Sequence, residues 1–327
     1  MLTTDKIRQL ERRMRNYHHV EHIPGLLKII VWGVPAFGFA GFAFLSTDWN
    51  FVVFYTLISA LAYVPLMVAT HDALHHTLTG WRSFDEAFAR VVSYPVGWVF
   101  GIYSSLHKVH HKLNGVCVDD PERINASHAE WERAEGWQMF YLRHQWLISI
   151  FIFAGIGGIS HHLYLALQRC ERYRGLKKMI VTDLVGITVT QIALLALSYV
   201  VCGNAKWVLM YFIYERVLGA ILQFRRLIEH YGLSAPESRF HEAQIIASRN
   251  IRTSEFVSRY FNRLNYHSLH HAFPKIPFYH LPKAHAEMIE ILTQDERALV
   301  TISDGYFRTA WQLHKTPRAV SLKKSLI

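Results

Sequence analysis

The stretch NYHSLHH places His267, His270 and His271 within five positions of a strongly apolar chain. On a helix, residues three and four apart share a face, so the three rings point one way, as metal ligands would. A second stretch, HKVHH, repeats that spacing with His107, His110 and His111. In a third, HDALHH, His71 and His75 stand one helical turn apart, whereas His76 is rotated about 140° from His71 at about 100° per residue and falls outside the set. His230, in EHYG, brings the collection to nine imidazoles. A closed zinc site uses four ligands and a catalytic one typically three, so nine rings exceed the demand of one ion and two metals are expected. Imidazole suits iron, copper, zinc and nickel alike, and ligand type alone does not name the ion. Independent surface histidines would need the same spacing twice by accident. The other histidines read differently. His18, His19 and His22 precede Pro24 and Gly25 and suit an interfacial role; His161 and His162 are adjacent and diverge on a helix; His128, His144, His241, His280 and His285 are isolated polar or capping residues.

Elements that hold four histidine sets at one level must be anchored, and the composition says where. The chain has 327 residues, 51% hydrophobic and 14% aromatic, which fits either a large soluble domain or a polytopic membrane protein. Local runs decide between them. Residues 26–45 could cross a bilayer and carry only Lys28, near the end where a lysine snorkels; residues 49–69 carry no charge. Three residues separate the two runs, so they form a tight hairpin. Residues 180–202 and 206–224 form a second pair, although Asp183 lies in the first run and Glu215 and Arg216 in the last. Glu215 and Arg216 inside a span form a costly pair, which suggests a buried functional or packing site. No cleavable signal is expected at the first run, which is long and follows a basic segment. Cys117, Cys170 and Cys202 are too scattered for a metal ribbon or a disulfide framework.

Charge supplies the orientation. The 35 Lys and Arg residues fall almost wholly in 1–25, 70–179 and 225–327, while the turns at 46–48 and 203–205 have none. The positive-inside rule puts the three long segments, and both termini, on the cytoplasmic side. The expectation is an all-α polytopic membrane protein, a single domain over 1–327. Its parts are an amphipathic segment (1–25), a first hairpin (26–69), a cytoplasmic or interfacial segment (70–179), a second hairpin (180–224) and a cytoplasmic helical cap (225–327). Ile7, Leu10 and Met14 between basic residues suit a helix lying on an anionic leaflet. Residues 146–167 are apolar, but a span there would reverse the side of everything after 224, and GIGG with His161-His162 makes a poor spanning helix; they, and 88–106, broken by Pro95, Gly97 and Gly101, are expected to lie in the interface or re-enter. Four spans follow, or six if both segments cross.

HDALHH, HKVHH with the following DDPE, EHYG and NYHSLHHAFPKIPFYHLP, taken in order, resemble the motifs of the membrane fatty acid desaturase superfamily, which includes acyl desaturases, acyl and alkane hydroxylases and carotenoid oxygenases. The resemblance covers about residues 70–285. It implies two irons on the cytoplasmic side, held by His71, His75, His107, His110, His111, His230, His267, His270 and His271, with dioxygen as co-substrate. Members often carry an asparagine one turn before the lone histidine; Arg226 stands there, against any water-mediated ligand at that place. Metal-bound imidazoles need acceptors for their second nitrogen, and Asp72, Asp119, Asp120, Glu229 and Asn265 are candidates by their nearness in sequence.

Three separated cysteines cannot hold an iron–sulfur cluster with four thiolates, so electrons must come from outside. A net charge of +10 would attract an acidic ferredoxin-like donor as well as anionic lipid; no nucleic acid partner is expected. The substrate is expected to be a hydrophobic acyl chain, possibly carrier-linked. Desaturation is the expected outcome, with hydroxylation of an acyl chain or alkane, and carotenoid hydroxylation or ketolation, as alternatives. A membrane receptor or hydrolase with a single zinc site is the reading from a different class.

Overall fold

The computed structural model describes residues 1–171, 175–315 and 319–325. In chain order the first helices are α1 (Thr4–Met14), α2 (His22–Leu45), α3 (Trp49–Leu74), α4 (Arg82–Ser93), α5 (Phe100–Leu113), α6 (His128–Arg133), α7 (Gly136–Leu147) and α8 (Ala154–Arg169). They are followed by α9 (Leu176–Cys202), α10 (Lys206–His230), α11 (Phe240–Ile246), α12 (Glu255–Tyr260), α13 (His267–Ala272), α14 (Leu281–Ile291), α15 (Gln294–Arg297) and α16 (Tyr306–His314). Four short strands, β1 (Ala126–Ser127), β2 (Asn250–Arg252), β3 (Ile302–Asp304) and β4 (Ala319–Val320), pair in parallel as β1 with β4 and β2 with β3. The chain is mostly helical. It divides into two compact units interleaved along the sequence: Glu21–Leu106 with Ser149–Gln223, and Met1–Val20 with His107–Ile148 and Phe224–Ile327.

The first unit contains the apolar helices. α2 and α3 form the first hairpin; Asp48 caps α3 by accepting from the Asn50 amide at 2.8 Å. α9 and α10 form the second, and Lys206 at its turn donates to the Phe44 carbonyl at 2.9 Å, which ties the two turns together. α3 is the most buried: Tyr63 donates to the Val92 carbonyl at 2.8 Å, and Ser59 bonds the Ala36 carbonyl and the Tyr214 hydroxyl. A core of Val99, Ile102, Leu106, Ala166, Leu176 and Ile180 joins α5, α8 and α9. By contrast Ile30, Val34 and Phe37 of α2 and Val185, Val189 and Ile192 of α9 are more than half exposed, an apolar surface that lipid tails would solvate.

Five helices, one more than the four spans expected, are long and apolar enough to cross a membrane among the described residues. The additional one runs Gly136–Arg169 and contains the 146–167 stretch expected above to lie in the interface or re-enter. Its irregularity is real but lies upstream of the glycines that drew attention to it: Ile148–Phe153 is π-helical and Ala154 has φ of 39°. Gly155 and Gly158 serve close packing instead, against the Glu215 backbone and the Trp98 ring.

In the second unit α1 departs from the expected leaflet-bound helix. Leu10 and Met14 are fully buried, Lys6 donates to the Ile291 carbonyl at 2.9 Å, and Arg13 and Tyr17 both bond Glu287 of α14. Its apolar stripe is already covered by protein. The hydrogen bond to Glu287, reinforced by burial and by repulsion from that carboxylate, pushes the Tyr17 hydroxyl up to about 12.

Candidate metal centre

Seven of the nine histidines lie in the second unit, and none is more than 5% exposed. His107, His111 and His270 each offer a ring nitrogen within 4.8 Å of the others, and so do His110, His230 and His271. The helical spacing of α5 and α13 produces this division: His107 and His111, one turn apart, enter one triad, and His110 enters the other. His267 stands against His230, with their Nε2 atoms 2.8 Å apart. His71 and His75 belong to the first unit, at the end of α3, with ring centroids 5.0 Å apart.

Each element reaches its place through capping bonds. Asn125 donates to the carbonyls of His230 at 3.0 Å and Leu233 at 3.1 Å and accepts from the Gly232 amide at 2.7 Å, which closes the C-terminal end of α10. Arg249 adds bonds to the carbonyls of Ile228 and Tyr231. At α13, Asn250 accepts from the Ser268 amide at 3.1 Å. Asp120-Pro121-Glu122-Arg123 is a turn closed by the Arg123 amide on the Asp120 carbonyl at 3.2 Å, with the acidic residue and proline in their favoured first and second places.

That turn carries the acceptors. Glu122 Oε1 is 2.9 Å from His107 Nδ1, and Asp120 Oδ1 is 2.8 Å from His110 Nδ1 while also accepting from the Glu122 amide at 2.9 Å. Gln244 Oε1 is 3.1 Å from His271 Nδ1, and the His271 carbonyl is 3.4 Å from His111 Nδ1. An oxygen acceptor on Nδ1 puts the proton there and leaves Nε2 with its lone pair. The consequence is visible in the first triad, where two lone-pair nitrogens, Nε2 of His107 and of His111, face each other at 3.0 Å. Two acceptors so placed repel unless a cation sits between them or one is protonated. In the second triad Nε2 of His271 and Nδ1 of His230 are buried without a hydrogen-bond partner. The donor set therefore fits metal ions.

Burial, reinforced by neighbouring imidazoles, holds His111 and His271 well below the ordinary histidine range, so both stay neutral. His110 is the exception: burial pushes it down, but the Asp120 and Glu122 carboxylates outweigh this and lift it above the ordinary value. The same carboxylates would make it a more basic ligand.

The five acceptor candidates chosen by proximity have different surroundings. Asp120 bonds His110 as above. Asp72 Oδ1 is 3.9 Å from His71 Nδ1, within ion-pair range but beyond a hydrogen bond. Glu229 accepts from Arg225 at 3.0 Å and lies 3.5 Å from His267 Nε2. Asp119 accepts from Ser325, and Asn265 accepts from Ser258 and donates to the Ile251 carbonyl. Glu122 and Gln244 were passed over. Glu122 could have been found, since it completes the DDPE turn; nothing local distinguishes Gln244.

This histidine-lined centre on a mostly helical, apolar chain defines a class. The chain belongs to the fatty acid desaturase family, whose sequence model matches residues 47–302. It is similar to the Delta(5) fatty acid desaturase fat-4 of Caenorhabditis elegans, 22% identical over 298 residues, which are 83% of this chain and 64% of that protein. It is also similar to a ceramide hydroxylase of Caulobacter vibrioides, 29% identical over 98 residues, 29% of this chain and 28% of that protein. The chain thus spans less than two thirds of the length of either relative.

Proposed function

We propose that the protein is a membrane oxidoreductase that uses two irons and dioxygen to oxidise an unactivated C–H bond of a fatty acyl chain, with desaturation as the outcome. The observation that carries this reading is the pair of buried imidazole triads, in which Nδ1 of His107, His110 and His271 is held by Glu122, Asp120 and Gln244 and the Nε2 of each of these rings keeps its lone pair. His71 and His75 are proposed as further ligands on their spacing and motif order, and His267 on its contact with His230.

Iron bound there would supply the redox chemistry with dioxygen that redox-inert zinc cannot. The residues of the chain contribute the rest. Neutral imidazoles leave the cationic charge of the ions undiminished, the carboxylates fix ring orientation, and burial excludes bulk water. The overall balance is a CH2–CH2 unit, O2, two electrons and two protons giving CH=CH and two waters, so an outside electron donor is required. The basic surface favours an acidic ferredoxin-like protein, and by the positive-inside rule it and the centre face the cytoplasm.

Hydroxylation is the second reading, favoured by the stretch similar to a ceramide hydroxylase. It shares the first hydrogen abstraction and differs in retaining one oxygen atom. The test is expression in a lipid-producing host, mass spectrometry of its lipids and free hydrocarbons, and metal analysis of the purified protein. About two irons per chain and a product two hydrogens lighter are expected; a product one oxygen heavier selects hydroxylation. One zinc per chain with oxygen-independent activity would overturn both.

A further inference from the structure

We propose that Asp183, in the apolar helix α9, is a positioning residue for the histidine centre: its carboxylate caps the first turn of α5, the helix that carries His107, His110 and His111. The role rests on the metal reading above; the contact itself does not.

Asp183 is fully buried. Its Oδ2 accepts from the Ile102 amide at 2.9 Å and its Oδ1 from the Tyr94 hydroxyl at 3.0 Å. The first amides of a helix have no partner within it, and a side chain just before the helix usually meets them. Before α5 stand Gly97, Trp98 and Val99, none of which has an oxygen-bearing side chain. The cap comes instead from 81 positions away. Gly101 makes the approach possible: a Cβ there would lie 3.1 Å from one Asp183 oxygen and 3.2 Å from the other.

α9 also meets the chain on the other side of the break between α4 and α5. Gln191, eight residues beyond Asp183, donates to the carbonyls of Tyr94 at 3.0 Å and Pro95 at 2.9 Å. Gly186, between them, leaves room for the Tyr94 ring, since a Cβ there would come within 2.2 Å of it. One face of α9 thus offers an acceptor to an amide at the start of α5 and a donor to the carbonyls of Tyr94 and Pro95, the first of which also accepts from the Gly97 amide at 3.1 Å. A carboxylate is the favoured partner at a helix N-terminus, where the dipole is positive. An aspartate in the middle of an apolar helix is otherwise costly, and this contact accounts for it.

Ile102 precedes His107 by five residues and His111 by nine, about 8 and 14 Å along the helix. A helix is stiff over that length, so a start fixed in rotation fixes the direction of the three rings.

The test compares Asp183→Asn, which keeps an oxygen for the Ile102 amide, with Asp183→Leu, which does not. Purified in detergent and loaded with ferrous iron, D183L should lose iron to a chelator about tenfold faster than the wild type, and D183N within about twofold of it. Hydrogen exchange at residues 100–106 of the metal-free protein should accelerate in D183L and stay near wild type in D183N. If D183L does not fold, Gly101→Ala, which presses a methyl on the same carboxylate, should accelerate both readouts in its place. Unchanged exchange in D183L, or in Gly101→Ala where D183L does not fold, or faster exchange there with unchanged iron release, would overturn the proposal. A wild type that binds no iron overturns the di-iron reading and with it the positioning role, while exchange still reports separately whether Asp183 caps α5.

Discussion

The carboxylate of Glu122 and the Nδ1 of His107 lie 2.9 Å apart, both residues buried and 15 positions apart in the chain. The bond fixes the tautomer that leaves His107 Nε2 free for a metal ion. Glu122→Ala should lower iron affinity roughly 10- to 100-fold, the usual cost of losing such a partner, while Glu122→Gln, which can still accept from Nδ1, should cost less. Chelator competition on the purified protein measures both. Equal losses in the two variants would mean that the charge, not the orientation, is what matters at this position.

The nine imidazoles are separable by the same measurement. His107→Ala and His270→Ala should abolish turnover, with iron below two per chain. His76→Ala should retain much of the activity, because the ring is rotated away from His71 and His75 on the sequence pattern and its backbone has left the helix, with φ of 57°. Turnover at wild-type rate in the His270 variant would contradict the ligand assignment.

The histidine sets are legible because ligand spacing on a helix is a local property, and α5 and α13 obey it. The turn at Asp120-Pro121 is local too, and its second carboxylate could have been read from the same four letters. Gln244 could not: it meets His271 across 27 residues, from a helix with no motif of its own. Asp183 shows the opposite failure. Its anomaly as a charge in an apolar run was evident, but its reason lay 81 positions earlier, in a helix start without a cap of its own. The unexpected fifth long apolar helix has a similar origin. GIGG looked like a breaker, yet glycine in a close helix crossing is a packing residue, and only the partner helix reveals which role applies.

That crossing makes a prediction by contrast. A Cβ on Gly219 of α10 would sit 1.8 Å from the Gly155 nitrogen, backbone that cannot swing away, whereas one on Gly38 of α2 meets nothing within 4 Å. Gly219→Ala should destabilise by about 1–3 kcal/mol through forced separation. Gly38→Ala should be neutral or stabilise by up to about 1 kcal/mol through helix propensity. Thermal denaturation in detergent distinguishes them, and similar midpoints for the two variants would refute the close approach.

Acid sensitivity has an identifiable source outside the centre. The ring of His285 of α14 lies tilted against Tyr266, with centroids 5.0 Å apart, its Nε2 is buried without a partner, and burial lowers its pKa from 6.5 to about 4. The native ring stays neutral between those values while the unfolded chain takes up a proton. Its contribution is therefore intact above pH 6.5 and is lost as pH falls towards 4, by at most about 3 kcal/mol at about 1.36 kcal/mol per unit. His285→Phe should flatten that part of the stability–pH curve, measured as melting midpoint from pH 7 to pH 4. An unchanged slope would assign the acid sensitivity elsewhere.

Glu215 and Arg216 of α10 present the sharpest energetic choice. Buried ion pairs can often be replaced by apolar residues without loss, because desolvation offsets their attraction. Here the pair also satisfies an irregular backbone: Arg216 donates to the Ile152 carbonyl at 2.9 Å, within the π-helical stretch, and Glu215 accepts from the Ile156 amide, just beyond Ala154. Replacing both side chains would leave those groups without partners in an apolar surrounding, at a cost of several kcal/mol. Glu215→Leu combined with Arg216→Leu should therefore be no more stable than Glu215→Leu alone, in contrast to a simple ion pair, where removing the second charge relieves the first. A double variant that recovers wild-type melting behaviour would show that the helix break needs no help from α10.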